Sequence, residues 1–389
     1  MGGGHAATHS IKPRLPRIRK RQRAHVELDE VNRLKRARRR ILWGLFGLFA
    51  LLVAYLLYLL WWTHHNLHQA ELLPDDSGRT PGENILLVGS DSHDFNDLAN
   101  KGRADVIQLI HVDAGRRHAY VIHFPRDFYV TIPCGATHCN GLAPEDNKSK
   151  INASFSWGAL WHAPGLKGSE GASHLLVETL EDLLSVQGQP RFHIDHVVMM
   201  GFCGFANLTD DLGGVDIDVT QAYAEGAQPA NATCANGGAY GTWTAGVHHM
   251  DGLEALGFVR ERHELALGDI DRGRDQQAWM AAVFRKLTRS GALLNPIGLP
   301  KIISDGLSNT IVDQRMGMGY LLGLGRDIAI NNLKVRYFTA PYVHRGASFP
   351  IIKGVGQVLS YDPTGMDQLG YALRNDQMAE YSIDENNVQ

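Results

Sequence analysis

Charged residues are absent from one stretch of this chain of 389 residues, the apolar run ILWGLFGLFALLVAYLLYLLWW at residues 41–62. A run of this length matches the roughly 20 residues needed to cross the hydrocarbon core of a membrane. A small-x-small cleavage site is also absent behind the run, where the chain reads Thr63-His64-His65, so a cleaved signal peptide is disfavoured. We predict one transmembrane helix over residues 41–62.

Acidic residues are rare in residues 1–40, although the whole chain has a net charge of -3. A basic arm of this kind is one hallmark of nucleic-acid binding. Here Arg38, Arg39 and Arg40 directly precede the apolar run, and Trp61 and Trp62 close it. Basic residues stay on the cytoplasmic side and tryptophans favour the interface, so we predict a cytoplasmic N-terminus and no nucleic-acid partner. The protein is then a single-pass protein of the cell membrane with an extracytoplasmic C-terminal domain.

Cysteine is scarce, and all four cysteines follow the apolar run. Their spacing matches no common zinc pattern, so a zinc site that uses them and His138 is disfavoured. An even number of exported cysteines predicts two disulfides. Cys134 and Cys139 bracket a short loop and form the expected first pair, which leaves Cys203 with Cys234 by elimination.

The rest of the chain contains no internal repeat, and apolar strand patterns alternate in it with helical ones. The clearest strands are predicted at residues 84–88, 106–112, 119–124, 196–200, 215–219 and 333–339. Alternation of this kind predicts an α/β fold, a layered α-β-α domain with a mixed central sheet, preceded by one transmembrane helix. We assign residues 63–83 to a linker, 84–374 to this domain and 375–389 to a polar tail.

Arginines concentrate in residues 258–277, which read FVRERHELALGDIDRGRDQQ. Arg260 and Arg262 lie two positions apart after an apolar pair. If these residues form the end of a strand, the side chains of both arginines point to the same face of the sheet. Arg272 and Arg274 follow before a helical run. Guanidinium groups near a helix start suit a ligand with several negative charges, because each can bind phosphate oxygens bidentately. The alternative is a solvated face, in which the interleaved acidic residues pair with these arginines.

Two carboxylates are placed to share a cation. Asp91 follows a predicted buried strand, and Asp105 begins the next one. Ligands of α/β sheets collect at the carboxyl ends of strands. Mg²⁺ is held by one or two carboxylates together with phosphate oxygens and water. Arg126 and Lys150 add positive charge, so the sequence predicts a Mg²⁺-containing phosphate site.

The order of the motifs resembles the LytR-CpsA-Psr family, bacterial enzymes that attach glycopolymers to the cell wall. The resemblance covers residues 84–287 and is specific because many short motifs follow in the same order. The matching motifs are N-I-L-L-V-G-S-D (84–91), R-A-D (103–105), F-P-R-D (124–127), K-I-N-A (150–153), D-L-G-G-V-D-I-D-V (211–219), H-M-D-G-L-E-A-L (249–256), V-R-E-R (259–262) and D-x-x-R-x-x-x-Q-Q (269–277).

The resemblance implies a Mg²⁺-dependent phosphotransferase. Its donor is a glycopolymer on a polyprenyl pyrophosphate and its acceptor is a hydroxyl of peptidoglycan, which become joined by a phosphodiester. The implied catalytic residues are Arg126, Arg260 and Arg262. The implied pyrophosphate-binding residues are Arg103, Lys150, Arg272 and Gln276, and the implied metal ligands are Asp91 and Asp105.

Two positions depart from the family pattern. An arginine often follows the G-S-D turn where this chain has His93, and the family's R-Q-Q begins here with Asp275. One phosphate contact is therefore lost or is supplied by Arg274. Asp127 is either a general base or the partner of a nearby arginine in a salt bridge. Two alternative functions remain open: a non-catalytic, membrane-anchored binder of lipid-linked glycan, and a polyprenyl-pyrophosphate hydrolase.

Overall fold

The structure is a computed structural model and has two compact units, Met1–Trp61 and Trp62–Gln389. His93 and the start of the basic arm lie outside the residues that it describes. Those residues are 17–66, 68–74, 78–91, 102–135, 138–160, 166–186, 188–224, 231–236, 238, 241–262, 264–289, 309–317, 319–320, 323–324, 327, 333–343 and 349–381.

The N-terminal unit is described by one helix, α1 (Arg17–Asn66), which continues beyond the unit's last residue. Apolar side chains on this helix are exposed, including Leu42, Phe46 and Phe49. Across the described residues, no helix is both long enough and apolar enough to cross a membrane.

The C-terminal unit alternates strands and helices. Its described strands are β1 (His68–Ala70), β2 (Glu83–Ser90), β3 (Ala104–Val112), β4 (His118–His123), β5 (Tyr129–Thr131), β6 (Lys148–Lys150), β7 (His196–Gly201), β8 (Val215–Val219), β9 (Tyr223–Ala224), β10 (Thr242–Trp243), β11 (Gly246–Met250), β12 (Thr310–Asp313), β13 (Lys334–Thr339), β14 (Ile351–Ile352) and β15 (Gly356–Gln357). Its described helices are α2 (Ile151–Leu160), α3 (Gly168–Leu184), α4 (Phe202–Asp211), α5 (Gly252–Arg260), α6 (Asp269–Arg289) and α7 (Pro363–Arg374), with single turns at His138–Gly141 and Cys234–Asn236.

A seven-stranded mixed sheet lies at the centre, in the order β1-β12-β7-β2-β3-β4-β13. Strands β2 and β7 are parallel, as are β4 and β13, while β3 is antiparallel to both of its neighbours. Alternate residues of the inner strands point to opposite faces, and both faces are covered, so these strands are apolar on both sides. The predicted α/β fold with a mixed central sheet in a layered domain is therefore confirmed.

One face of the sheet packs against helices α2, α3 and α7. Leu86, Ile107 and Leu109 of the sheet are buried in one cluster with side chains of these helices. Helices α2 and α3 cross at Gly158 and Gly171, where a Cβ atom on Gly158 would lie 2.2 Å from the Gly171 carbonyl oxygen. Only glycine permits this approach, which draws α2 close to the helix that covers the sheet.

The other face carries α4, α5 and α6, and this second layer holds most of the candidate site residues. Helix α5 begins with a capping box in which Asp251 Oδ1 accepts from the Glu254 N–H (2.9 Å) and Glu254 Oε2 accepts from the Asp251 N–H (3.1 Å). Such a box satisfies amides that the first helical turn leaves unpaired. Phe284 of α6 packs against a cluster of Val112, Ala119 and Leu333 at the edge of the sheet.

Two interpretations of the arginine stretch are wrong. Arg260 is the last residue of helix α5 rather than part of a strand end. Helix α6 begins at Asp269, so Arg272 and Arg274 lie inside it rather than before it. The acidic side chains of Asp269 and Asp271 in the first turn explain this early start, because they interact favourably with the positive end of the helix dipole.

The chain that precedes β2 also differs from the linker assigned to residues 63–83. Strand β1 pairs in parallel with β12 at the edge of the main sheet, and Leu72 and Leu73 are buried in the main core. In the assigned tail, Asp376 Oδ1 lies 3.1 Å from His111 Nε2, and Met378 is buried in the core. Short segments of this kind carry no periodicity that a sequence pattern could detect.

Candidate active site

A cavity of about 370 Å³ lies between the sheet and helices α4, α5 and α6. Its polar lining consists of Arg103, Asp105, Gln108, Arg126, Arg260, Arg262, Arg272 and Gln276. Its apolar lining consists of Leu87, Val106, Met200, Phe202, Phe205, Leu256, Val259, Trp279 and Met280. The cavity therefore combines five arginines with an apolar wall.

The structure brings most of the predicted site residues together. Six of the seven side chains predicted for catalysis or pyrophosphate binding line this cavity; they are Arg103, Arg126, Arg260, Arg262, Arg272 and Gln276. Lys150 is not among the lining residues, since its Nζ lies 2.7 Å from Asp127 Oδ1. Asp127 thus forms a salt bridge, with a lysine rather than with the arginine that we expected. Of the two predicted metal ligands, Asp105 lines the cavity.

Arg126 and Arg272 share their acidic partners. Arg126 pairs with Asp105 and, through its Nε at 3.4 Å, with Asp269 Oδ1. Arg272 also pairs with Asp269 and lies 3.5 Å from the carbonyl oxygen of Asp105. Burial opposes the charge on Arg126, but Asp105 and Asp269 outweigh it and raise its pKa. For Arg272 burial prevails, with a contribution from Arg126, and lowers the pKa.

Arg260 and Arg262 enter the cavity from the end of α5. The guanidinium carbon of Arg260 lies 4.5 Å from the ring centroid of Phe202, the first residue of α4. A cation over an aromatic face at this distance is attracted by the ring. The buried Glu261 accepts from the N–H of Arg262 (2.6 Å) and of Glu264 (3.0 Å), which fixes the turn that carries Arg262.

Asp91 and Asp105 come from neighbouring strands, because β2 pairs with β3 from Glu83 up to Ser90 and Ala104. Burial, followed by the charge of Asp105, raises the pKa of Asp91, although Asp91 Oδ1 accepts from the Arg103 N–H at 2.8 Å. Two carboxylates that disfavour each other's charge would be relieved by a cation. Among the described residues, no group of three or more acidic, histidine or cysteine side chains is suited to a metal. The predicted Mg²⁺ site thus consists of this pair alone, and Mg²⁺ would have to take its remaining ligands from phosphate oxygens and water.

Asp275, which stands at the first position of the family's R-Q-Q motif, is a buried carboxylate. Burial and the nearby Asp271 and Glu261 raise the pKa of Asp275 to about 8. Arg274 lies beside this group, with its Nη1 2.8 Å from Asp271 Oδ1, and is not among the cavity-lining residues. Arg274 is thus engaged by an acidic residue next to the cavity, and the two alternatives for the phosphate contact both stay predictions.

Sequence reasoning missed the aromatic wall of the cavity. Phe205 stacks on Trp279 with ring centroids 4.0 Å apart, and Trp279 Nε1 donates to Thr209 Oγ1 at 3.0 Å. These contacts join α4 to α6, and Phe202 joins α4 to α5. The available signal was the spacing of Phe202 and Phe205, which places both rings on one face of a helix.

Both expected cysteine pairs lie at bonding distance. The sulfur atoms are 1.97 Å apart in Cys134–Cys139 and 1.85 Å apart in Cys203–Cys234. The second pair ties the first turn of α4, beside Phe202, to the turn Cys234–Asn236. It therefore holds the helix that supplies the aromatic wall.

Comparison with known proteins yields relatives in cell-wall synthesis. The cell wall biosynthesis protein LcpA of Corynebacterium glutamicum is 26% identical over 266 residues, which cover 64% of this chain and 48% of that protein. The polyisoprenyl-teichoic acid–peptidoglycan teichoic acid transferase TagU of Oceanobacillus iheyensis is 28% identical over 221 residues, which cover 55% of this chain and 56% of that protein. The chain thus spans about half the length of these curated relatives.

Solved structures share the fold. A LytR-Csp2A-Psr enzyme from Actinomyces oris has a TM-score of 0.55 and 19% identity, over 79% of this chain and 96% of that one. TagV of B. subtilis has a TM-score of 0.53 and 21% identity, over 79% of this chain and 100% of that one. The LytR_cpsA_psr family model matches residues 65–355, which is most of the chain. This protein is therefore a member of the LytR_cpsA_psr family.

Proposed function

We propose that the protein is a phosphotransferase that moves a glycopolymer from a polyprenyl-pyrophosphate carrier onto a hydroxyl of peptidoglycan. The product is a phosphodiester between the two polymers. Relatives whose names describe cell-wall biosynthesis and teichoic acid transfer to peptidoglycan support the glycopolymer class.

The observation that carries this proposal is the union of five arginines and an apolar wall in one cavity. A lipid pyrophosphate has the matching two-part chemistry, with a compact polyanion joined to a hydrocarbon chain. Arginines bind the pyrophosphate oxygens bidentately and keep their charge at any working pH. The apolar wall around Leu256, Trp279 and Met280 would receive the first isoprene units, because burial of hydrocarbon away from water is favourable.

The transfer breaks one P–O bond of the pyrophosphate and forms one P–O bond to the acceptor hydroxyl. It releases the polyprenyl phosphate and the hydroxyl proton. Such reactions depend on positioning and on neutralisation of charge on the phosphoryl oxygens. Arg126 and Arg272, each held by Asp269, would bind the oxygens without reorganising, which is the condition for strong electrostatic stabilisation. Arg260 and Arg262 would neutralise further charge from the end of α5.

Asp91 and Asp105 would hold Mg²⁺ next to this set of arginines. The ion supplies additional positive charge at the pyrophosphate when it is bound. Asp105 would then have two tasks, because its Oδ1 already accepts from Arg126. The proximity of this pair to the arginine cluster supports a site shared by metal and phosphate.

We further propose that residues 41–62 anchor the protein in the cell membrane, with the catalytic unit outside the cytoplasm. The uncharged apolar run and the adjoining arginines support this orientation. Two cysteine pairs at bonding distance fit an oxidising compartment. A phosphatase reporter that needs oxidation for activity, fused after Gln389, should be active; an inactive but intact fusion would contradict this orientation.

The transferase is tested with the full-length protein in detergent micelles. The protein is incubated with a synthetic short-glycan polyprenyl pyrophosphate and peptidoglycan fragments, with Mg²⁺ or with a chelator. Mass spectrometry should detect a glycan-phosphate adduct that depends on Mg²⁺ and is lost in Arg260→Ala and Asp91→Ala. The matched control is Arg117→Ala, which removes an exposed arginine from the turn at the other end of β3.

Each other result contradicts a specific part of the proposal. Tight lipid binding without an adduct or released phosphate would identify a binder instead of an enzyme. Release of polyprenyl phosphate without an adduct, in the presence of several acceptor fragments, would identify a hydrolase. An adduct that persists in the chelator would remove Mg²⁺ from the mechanism.

A further inference from the structure

Gln108 is a fully buried amide in the wall of the cavity. It lies on β3, and its side chain is 0% exposed. Neither its Oε1 nor its Nε2 has a hydrogen-bond partner within the part of the chain that the structure describes. Directly opposite on β4 is His123, also buried, whose two ring nitrogens have no partner there either.

Burying two polar side chains in this way destabilises the folded protein unless a ligand or a water molecule completes their hydrogen bonds. A buried polar group without a partner destabilises a protein, whereas an apolar residue of the same shape avoids this penalty. The surrounding wall is apolar, and Leu87 faces Gln108 across β2 and β3. Methionine or leucine would therefore suit position 108 better if the cavity stayed empty.

The position of Gln108 indicates which group would complete its hydrogen bonds. Gln108 lies three residues along β3 from Asp105, which corresponds to about 10 Å. Gln276, whose Oε1 also lacks a partner among the described residues, lies one turn of α6 beyond Arg272, about 6 Å along the helix. Both amides line the same cavity as the arginines. A ligand that the arginines hold in this cavity would therefore also meet these two amides.

We propose that Gln108 is a further substrate-binding residue, which donates a hydrogen bond from Nε2 to a phosphate oxygen of the lipid carrier. This inference rests on the proposed function. His123 lies opposite Gln108 on β4 and closes this part of the wall. Its ring packs against Gly273 of α6, where a Cβ would lie 2.3 Å from the ring.

The test compares two ligands that differ only in phosphate, geranylgeranyl pyrophosphate and geranylgeraniol. Binding to the full-length protein in detergent micelles is followed by tryptophan fluorescence, to which Trp279 in the cavity wall contributes. Gln108→Met should weaken pyrophosphate binding about tenfold, the typical effect of one hydrogen bond to a charged group. It should leave geranylgeraniol binding unchanged, and the ligand-free variant should melt no lower than the wild type. Met200→Leu, a change in the same wall, should affect both ligands by the same factor.

Two results would overturn the role of Gln108. If Gln108→Met binds both ligands as the wild type does, the amide serves a buried water only. If the variant melts lower and loses both ligands alike, Gln108 is structural. A wild-type protein that binds the pyrophosphate no better than the alcohol would instead contradict the proposed function itself, so the two failures are distinguishable.

Discussion

His196 should make the stability of the folded unit dependent on pH. It begins β7 at the end of the sheet away from the cavity, with Nδ1 3.1 Å from Asp313 Oδ2 and Nε2 3.4 Å from Glu83 Oε1. Burial alone would lower the pKa of His196, but the hydrogen bonds with Asp313 and Glu83 outweigh it and raise the pKa to about 9. The perturbation is His196→Gln, which keeps a polar side chain but cannot titrate.

The sign follows from the folded pKa, which lies above the ordinary value of 6.5. The charged imidazole therefore stabilises the fold fully below pH 6.5 and loses this effect as the pH rises towards 9. At roughly 1.4 kcal/mol per unit of pKa, the rise from 6.5 to about 9 corresponds to at most about 3–4 kcal/mol of stabilisation. Solvent reaches part of the ring, so screening reduces the expected contribution to about 1–2 kcal/mol.

The assay is urea unfolding of the full-length protein in detergent micelles, followed by tryptophan fluorescence. The free-energy difference between wild type and His196→Gln should be about 1–2 kcal/mol larger near pH 6 than near pH 9.5. Asp275 also titrates near pH 8, but it is present in both proteins and cancels in the difference. If the free-energy difference between the two proteins stays constant between pH 6 and pH 9.5, the raised pKa of His196 is refuted.

Three more changes have defined outcomes. Phe202→Leu removes the ring beneath Arg260 and should lower kcat/KM by about 3–30-fold, while Phe202→Trp retains most activity, as steady-state kinetics will measure. Replacing Cys203 and Cys234 by serine opens a bridge with a sequence separation of 31 and should lower the free energy of unfolding by about 3 kcal/mol. Gly273→Ala should lower the melting temperature, because the new Cβ would lie 2.3 Å from the His123 ring and cost about 1–3 kcal/mol. A kcat/KM, a free energy of unfolding or a melting temperature equal to that of the wild type would contradict the prediction for Phe202→Leu, for the serine variant or for Gly273→Ala, respectively.

The sequence predicts the secondary structure where an apolar pattern repeats over several residues. Strands β2, β3, β4 and β7 are long and apolar, and their predicted bounds agree with the structure to within about two residues. The grouping of arginines in the cavity was predictable as well, because the motifs that contain them follow one another in the order of the family. The resemblance to a family located them individually.

Features that depend on long-range contacts could not be predicted. Arg260 is a local exception: two arginines at i and i+2 suggest the alternation of a strand, but the capping box at Asp251 starts a helix that runs through Arg260. Strand β12 is short and finds its place only by pairing with β1 and β7. The unpaired amide of Gln108 is likewise invisible in the sequence, since its burial is a property of the assembled sheet.

The edge strand β1 determines where the folded unit can be separated from the helix before it. Leu72 and Leu73, just after β1, are 0% and 6% exposed, and Ser173 and His174 of α3 hydrogen-bond to the carbonyl oxygens of Leu72 and Glu71. A shortened protein that starts at residue 78 would lose all of these contacts and leave β12 as an unprotected edge. Open edges invite pairing with other chains, so such a protein should aggregate. A shortened version of the folded unit should therefore begin before His68.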